Sequence, residues 1–197
     1  MNPTPEFSSD IKEQIITAGR TIFARYGFQK ATMDDIAQAA RKGKSSLYHY
    51  FKSKEEIFKA VIEKEAGEFK SEIERAVALE TDSQKKLRAY ILTRMQALRR
   101  LANLYTTFQK EYLESHHFIE ELRREYDQYE IDMFKQILHS GVLAGIFQLR
   151  DLDLTAYAMM IAQKGLEYQW AIQKDQQLIE KSVDSLLEVF FNGILKR

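Results

Sequence analysis

Apolar residues recur at the helical period along almost the whole chain. Ile11, Ile15, Ala18 and Ile22 are spaced by three or four, with Ile16, Phe23 and Tyr26 widening the stripe, and predict a first amphipathic helix. Gly27 supplies the left-handed residue that stops it, with Phe28 packing back over the end. Thr32, three residues before Asp35, resembles a capping box and predicts a short second helix carrying Met33, Ile36, Ala37 and Ala40. The tetrad Arg41-Lys42-Gly43-Lys44 interrupts it, and a third short helix follows through Ser45–Phe51. Ser53 with Glu56 forms a full capping box for a fourth helix, whose stripe Phe58, Ile62, Phe69, Ile73 and Val77 carries it to about residue 79.

The remainder reads the same way. Leu87, Ile91, Met95, Leu98, Leu101, Tyr105, Phe108 and Tyr112 trace one stripe through a fifth helix, capped by Thr81 and Gln84, and on into a sixth. Glu114-Ser115-His116-His117 is a break, and Ile119, Leu122, Tyr126, Tyr129, Met133 and Ile137 mark a long helix ended by Gly141–Gly145. After Arg150–Asp153 comes a helix with Leu154, Tyr157, Ile161, Leu166, Tyr168 and Ile172. The last helix, about 176–195, carries two stripes: Ile179, Val183, Leu186, Phe190 and Ile194, and Leu187, Phe191 and Leu195. A helix apolar on two faces has to be covered from two sides. A second copy of the chain would do this, with Gly165 of the preceding helix allowing close approach; a central place in the chain's own bundle would do it too. The expected fold is all-α, with about nine helices.

Composition sharpens that picture. The only prolines are Pro3 and Pro5, so nothing from Glu6 to Arg197 locks φ or removes a backbone donor. The absence of cysteine excludes disulfides, thiolate metal sites and a cysteine nucleophile. Lys plus Arg equals Asp plus Glu at 29 each, but residues 1–54 carry nine basic and five acidic side chains. A basic head on an acidic body suggests that only the head meets a polyanion. No apolar run is long enough for a membrane span, and MNPTPEFSSD lacks the charged start and apolar centre of a secretory signal, so a cytoplasmic chain is expected.

Two short helices joined by a tight turn and held between longer ones is the helix-turn-helix plan, in which the second short helix enters the major groove. That helix has the chemistry for it. Lys44, Ser45, Ser46, Tyr48, His49 and Tyr50 carry hydrogen-bond donors, Leu47 and Phe51 form an anchor four apart, and seven residues cannot bury all three rings at 48–50. Thr32–Asp35, Ile36-Ala37, Ala40 and the run Lys44–Phe58 resemble the DNA-binding domain of TetR-family transcriptional regulators. The resemblance covers Ile11–Phe58, about a quarter of the chain, and its specific part is Leu-Tyr-His-Tyr-Phe, two residues, then Lys-Glu-Glu. Family members often carry a Gly-Val-type turn after the position of Ala40; here Arg41-Lys42 stands there, which moves the glycine freedom to Gly43 and adds positive charge near the phosphates.

The resemblance implies a homodimeric regulator that binds double-stranded DNA, represses, and responds to a small molecule. It assigns phosphate contacts to Thr32, Tyr48, Tyr50 and Lys54, and places Lys44, Ser45, Ser46 and His49 at or near base edges. Residues 1–54 would form the DNA-binding domain and 55–197 the ligand-binding and dimerisation domain. In resembling proteins the body encloses an inducer, and aromatic and sulfur side chains suit an apolar or aromatic ligand: Met95, Phe108, Tyr112, Tyr126, Tyr129, Met160 and Trp170. Plain core packing accounts for each of these residues more simply. The dimer face would use Gly165, Val183, Leu187, Phe190, Phe191 and Ile194. Adjacent His116 and His117 diverge by about 100° on a helix and have no ligand-spaced partners, so no metal or other cofactor is implied. Glu120-Glu121 and Asp127 with Glu130 read as a solvated face. No Gly-rich phosphate loop, nucleophile elbow or paired acid and base is displayed, so no catalytic residue is assigned. A helical scaffold that kept the fold without binding DNA would have lost the polar groups of the third helix, and here they are present.

Overall fold

The computed structural model describes residues 5–101, 117–172 and 175–194. Among these the chain forms eight helices: α1 (Pro5–Lys30), α2 (Met33–Ala39), α3 (Lys44–Tyr50), α4 (Lys54–Ala78), α5 (Ser83–Arg100), α6 (His117–Leu143), α7 (Leu152–Ile172) and α8 (Gln176–Ile194). The all-α class is therefore as the periodicity predicts. The sixth helix expected around Tyr105–Tyr112 lies outside the described residues.

Helix starts are set by short polar side chains that take up otherwise unpartnered N–H groups. Thr32 caps α2 with the reciprocal box: its Oγ1 accepts from the Asp35 N–H at 3.2 Å, and Asp35 Oδ2 accepts from the Thr32 N–H at 3.0 Å. Ser53 Oγ accepts from the Glu56 N–H at 3.3 Å, but Glu56 reaches one residue further back, accepting from the Lys52 N–H at 2.7 Å. The cap of α5 is Asp82 and not the expected Thr81–Gln84 pair: Asp82 Oδ1 accepts from the N–H groups of Gln84 and Lys85. An ionised carboxylate is the stronger acceptor at a helix start. Asp151 and Asp175 do the same for α7 and α8.

Two backbone details differ from expectation. Gly27 does not take the left-handed helical conformation; at φ 75° and ψ 163° it occupies an extended region essentially reserved for glycine, and α1 continues past the kink to Lys30. Phe28 then turns inward, its ring centroid 4.7 Å from Phe58. Gly43 uses no special freedom, sitting at φ −68° as the N-cap of α3. The positive φ of the turn falls on Arg41, at 54°. The Arg41 N–H donates to Gln38 O and the Lys42 N–H to Ala37 O, both at 3.0 Å, which is the Schellman closure of a helix end with arginine where glycine is usual.

The chain divides into two compact units. The first runs to Glu68 with Leu101 added, and its core is built from Ile15, Phe23, Ile36, Leu47, Ile57 and Val61. Gly19 lets α1 and α4 approach closely, since a Cβ there would stand 2.7 Å from Ile57 Cγ2. The second unit takes in Phe69–Arg100 and the described residues after 116. Its core includes Phe69, Tyr90, Phe134 and Ala156, and its last helix turns Ile179, Val183 and Leu187 inward. α8 packs on α5, where the Arg88 guanidinium grips Asp184.

Candidate functional site

Leu47 (0 % exposed) and Phe51 (4 %) pin α3 to the first unit. At about 100° per residue, Lys44, Tyr48, Ser45 and His49 fall on the opposite arc, and all four are exposed. Ser46 and Tyr50 occupy the flank and are half-buried, with the Tyr50 ring edge-on to His49 at 5.0 Å. The outward face of α3 thus presents an ammonium, a hydroxyl, a phenol and an imidazole side by side.

Three of the flanking groups already hold partners within the chain. Lys44 Nζ lies 2.8 Å from Asp34 Oδ1, and that carboxylate's hydrogen bond raises the lysine above its ordinary pKa. Both groups are exposed, so the pair is open to exchange. The Thr32 hydroxyl donates to Asp35 Oδ2 at 2.6 Å. Lys54 stands at the first residue of α4, donates to Gln29 O at 3.3 Å and rests 4.6 Å above the Phe28 ring. Arg41 is exposed and Lys42 half-exposed on the turn between α2 and α3, which adds two cations immediately before α3.

Residues 15–61, which span these elements, match the pattern of bacterial regulatory proteins of the tetR family. This segment has the tetR-family pattern. Similarity to known transcriptional regulators extends well beyond the matched segment. The HTH-type transcriptional regulator YhgD of Bacillus subtilis is 23% identical over 183 residues, which is 93% of this chain and 95% of that one. A transcriptional regulator from Cytophaga hutchinsonii superposes with a TM-score of 0.73 at 27% identity, covering 93% of this chain and 98% of its own. FadR from Bacillus subtilis, solved in complex with stearoyl-CoA, superposes with a TM-score of 0.72 at 23% identity over 89% and 96% of the two chains.

The second unit holds two features of interest. An open groove of about 520 Å³ is lined by Glu74 of α4, Lys86 of α5 and Tyr129, Asp132, Met133 and Ile137 of α6. Burial, and then the Glu74 carboxylate, push the Tyr129 phenol well above its ordinary pKa. Of the residues expected at a ligand, Tyr129 lines this groove, whereas Met95, Tyr126 and Met160 are buried in the core. Phe108 and Tyr112 lie outside the described residues, as does the side chain of Trp170.

The other feature was misread in the sequence. Glu130 is 1 % exposed, not on a solvated face, and its carboxylate accepts from the buried Arg94 guanidinium. Tyr90 and Gln163 are buried with them on α5 and α7. The available signal was polar residues at core positions of an apolar period, Arg94 between Ile91 and Met95 and Glu130 between Tyr126 and Met133.

The expected dimer residues divide. Val183 and Leu187 are buried in their own unit, Phe190 and Phe191 are half-buried, Gly165 is exposed, and the Ile194 side chain lies outside the described residues. α8 packs on α5 with Ile179, Val183 and Leu187 buried, and among its described residues the exposed large apolar ones are Leu178 and Val189. An outward apolar row also runs along α7 through Leu154, Tyr157 and Ile161, and Val189 of α8 is 74% exposed. Among the described residues no helix is long and apolar enough to cross a membrane.

Proposed function

We propose that this chain is a cytoplasmic, ligand-responsive repressor that binds a near-palindromic operator as a homodimer and catalyses no reaction. The observation that carries the reading is α3, anchored by Leu47 and Phe51 with Lys44, Ser45, Tyr48 and His49 turned outward. A helix of that kind fits the major groove, and a dimer would set two of them about 34–36 Å apart on successive turns. Lys44, Ser45, Ser46 and His49 are assigned to base edges, and Thr32, Tyr48, Tyr50 and Lys54 to phosphates. Lys44 would exchange Asp34 for DNA, and Lys54 would swing from Gln29 O to a phosphate at the start of α4.

Residues 1–54 serve DNA in this reading, and 55–197 serve ligand and self-association. The outward apolar rows of α7 and α8 support the dimer, because monomers rarely leave such faces uncovered. An apolar or aromatic small molecule is the proposed effector, supported by the groove beside Tyr129 and by a structural neighbour that holds stearoyl-CoA. α4 contributes residues to both units, so a ligand that favours one setting of its second half would bias the spacing of two recognition helices. It must bind the non-DNA state more tightly, or it shifts nothing. Selection of duplexes from a random pool by the full chain, followed by gel shift, tests the reading. Enrichment of a two-fold-symmetric site bound by two chains is expected; a pool that stays random refutes it.

A further inference from the structure

Between Lys30 and Lys54 the chain carries only two acids, Asp34 and Asp35, against six lysines and arginines. Asp35 is taken up by the cap of α2. Asp34 instead reaches across to α3, where Lys44 Nζ lies 2.8 Å from its Oδ1 and 3.0 Å from its Oδ2. On α2 it stands about 200° round from the buried Ile36, and its side chain is 66 % exposed. Lys44 lies on the outward arc of α3, one turn before Tyr48. A carboxylate beside a helix that meets phosphates repels every DNA sequence alike. An exposed ion pair returns little stability for that loss. The carboxylate has a use there only if the DNA itself offers it a donor.

We propose, resting on the regulator reading above, that Asp34 is a specificity-determining residue and reads one G·C base pair in each half-site together with Lys44. In the major groove guanine presents two acceptors, N7 and O6, and its cytosine presents the N4 amino group next to O6. The ammonium only donates and the carboxylate only accepts. Lys44 turns from Asp34 to guanine, and the released carboxylate accepts from the cytosine N4–H. The ion pair thus exchanges its internal bonds for the two members of one base pair, and its partners remain neighbours. An A·T pair sets its one donor between two acceptors. Beside the carboxylate, an ammonium there meets one acceptor where guanine offers two.

The full chain, Asp34→Asn, Lys44→Met and the double variant are titrated by gel shift on the duplex selected by the parent. The same titrations use versions of that duplex with each symmetric pair of positions changed in turn. For the parent, changing one particular G·C to A·T in both half-sites should weaken binding at least fivefold. Asp34→Asn and Lys44→Met should both flatten the preference at that same position and at no other. The double variant should lose no more discrimination than Lys44→Met alone, because the two side chains act as a pair. Asp34→Ser is titrated beside Asp34→Asn, so that a folding defect of one substitution, visible in its Tm, does not decide the result. If removing the carboxylate tightens every duplex alike and keeps the preference, Asp34 only repels DNA and the assignment is overturned. Relaxation of two different base pairs by Asp34→Asn and Lys44→Met overturns it as well. A parent that selects no duplex removes the regulator reading and this pair with it. A selected operator whose base preference ignores both Asp34 variants leaves that reading standing without the pair.

Discussion

Arg41 is a side chain in a glycine's place. At φ 54° an L residue crowds its own carbonyl, at a cost of about 1–2 kcal/mol. Arg41→Gly removes that strain and adds back about 0.4–1 kcal/mol of unfolded-state entropy. The two bonds that close the turn use the backbone N–H groups of residues 41 and 42 and survive the change. The net expectation is a gain of about 0.5–1 kcal/mol, which for a chain of 197 residues means a Tm higher by about 1–4 °C. Arg41→Ala is the control, because it deletes the same guanidinium and keeps the Cβ in the same strained backbone. Thermal and urea unfolding followed by circular dichroism, at one fixed protein concentration, should rank Gly above both Arg and Ala. Gel shifts on the selected operator should show the two variants weakened equally, since they lose the same charge. If Gly is no more stable than Ala, the strain is not stored at this turn and the reasoning fails.

Three other expectations follow from the structure. Lys54→Ala should weaken good and poor operators alike and reduce the slope of log affinity against log salt by roughly two for a dimer, while His49→Ala should cost about 1–3 kcal/mol of discrimination per base contact at one symmetric pair of positions and leave the slope unchanged; the reverse pattern in salt titrations would misplace α3 in the groove. Arg94→Met leaves the Glu130 carboxylate buried without its partner and should cost about 3–5 kcal/mol in urea unfolding, with most of it recovered when Glu130→Met is added; strictly additive losses would show that the pair is not coupled. Ile161→Glu with Val189→Glu puts two charges on exposed positions, so the chain should fold normally and sediment as a monomer; a persistent dimer would place the interface elsewhere.

The head was readable because its signals are local. Thr32 and Asp35 meet within one turn, and Leu47 and Phe51 share a face by period alone, whereas Gly27 marked where α1 breaks but not the extended conformation it takes or the continuation to Lys30. The body was readable as helices and much less as a site. Glu130 sits in a run of charges, and nothing within a few residues of it says that an arginine 36 positions earlier will face it. The same limit applied to α8, where two apolar rows were visible but not which row belonged to the chain's own core; Val183 and Leu187 went inward against α5.

What the order of residues decides without help is helix content, capping and the amphipathic faces, because those depend on neighbours three or four positions apart. Even there, competition between equivalent caps was settled by charge, and Asp82 took the place expected of Thr81. Packing decides the rest. The burial of an ion pair, the row of α8 left outward and the strain at Arg41 each require segments distant along the chain, or a turn closed between packed helices, to fix which solvent-competent side chain loses its water.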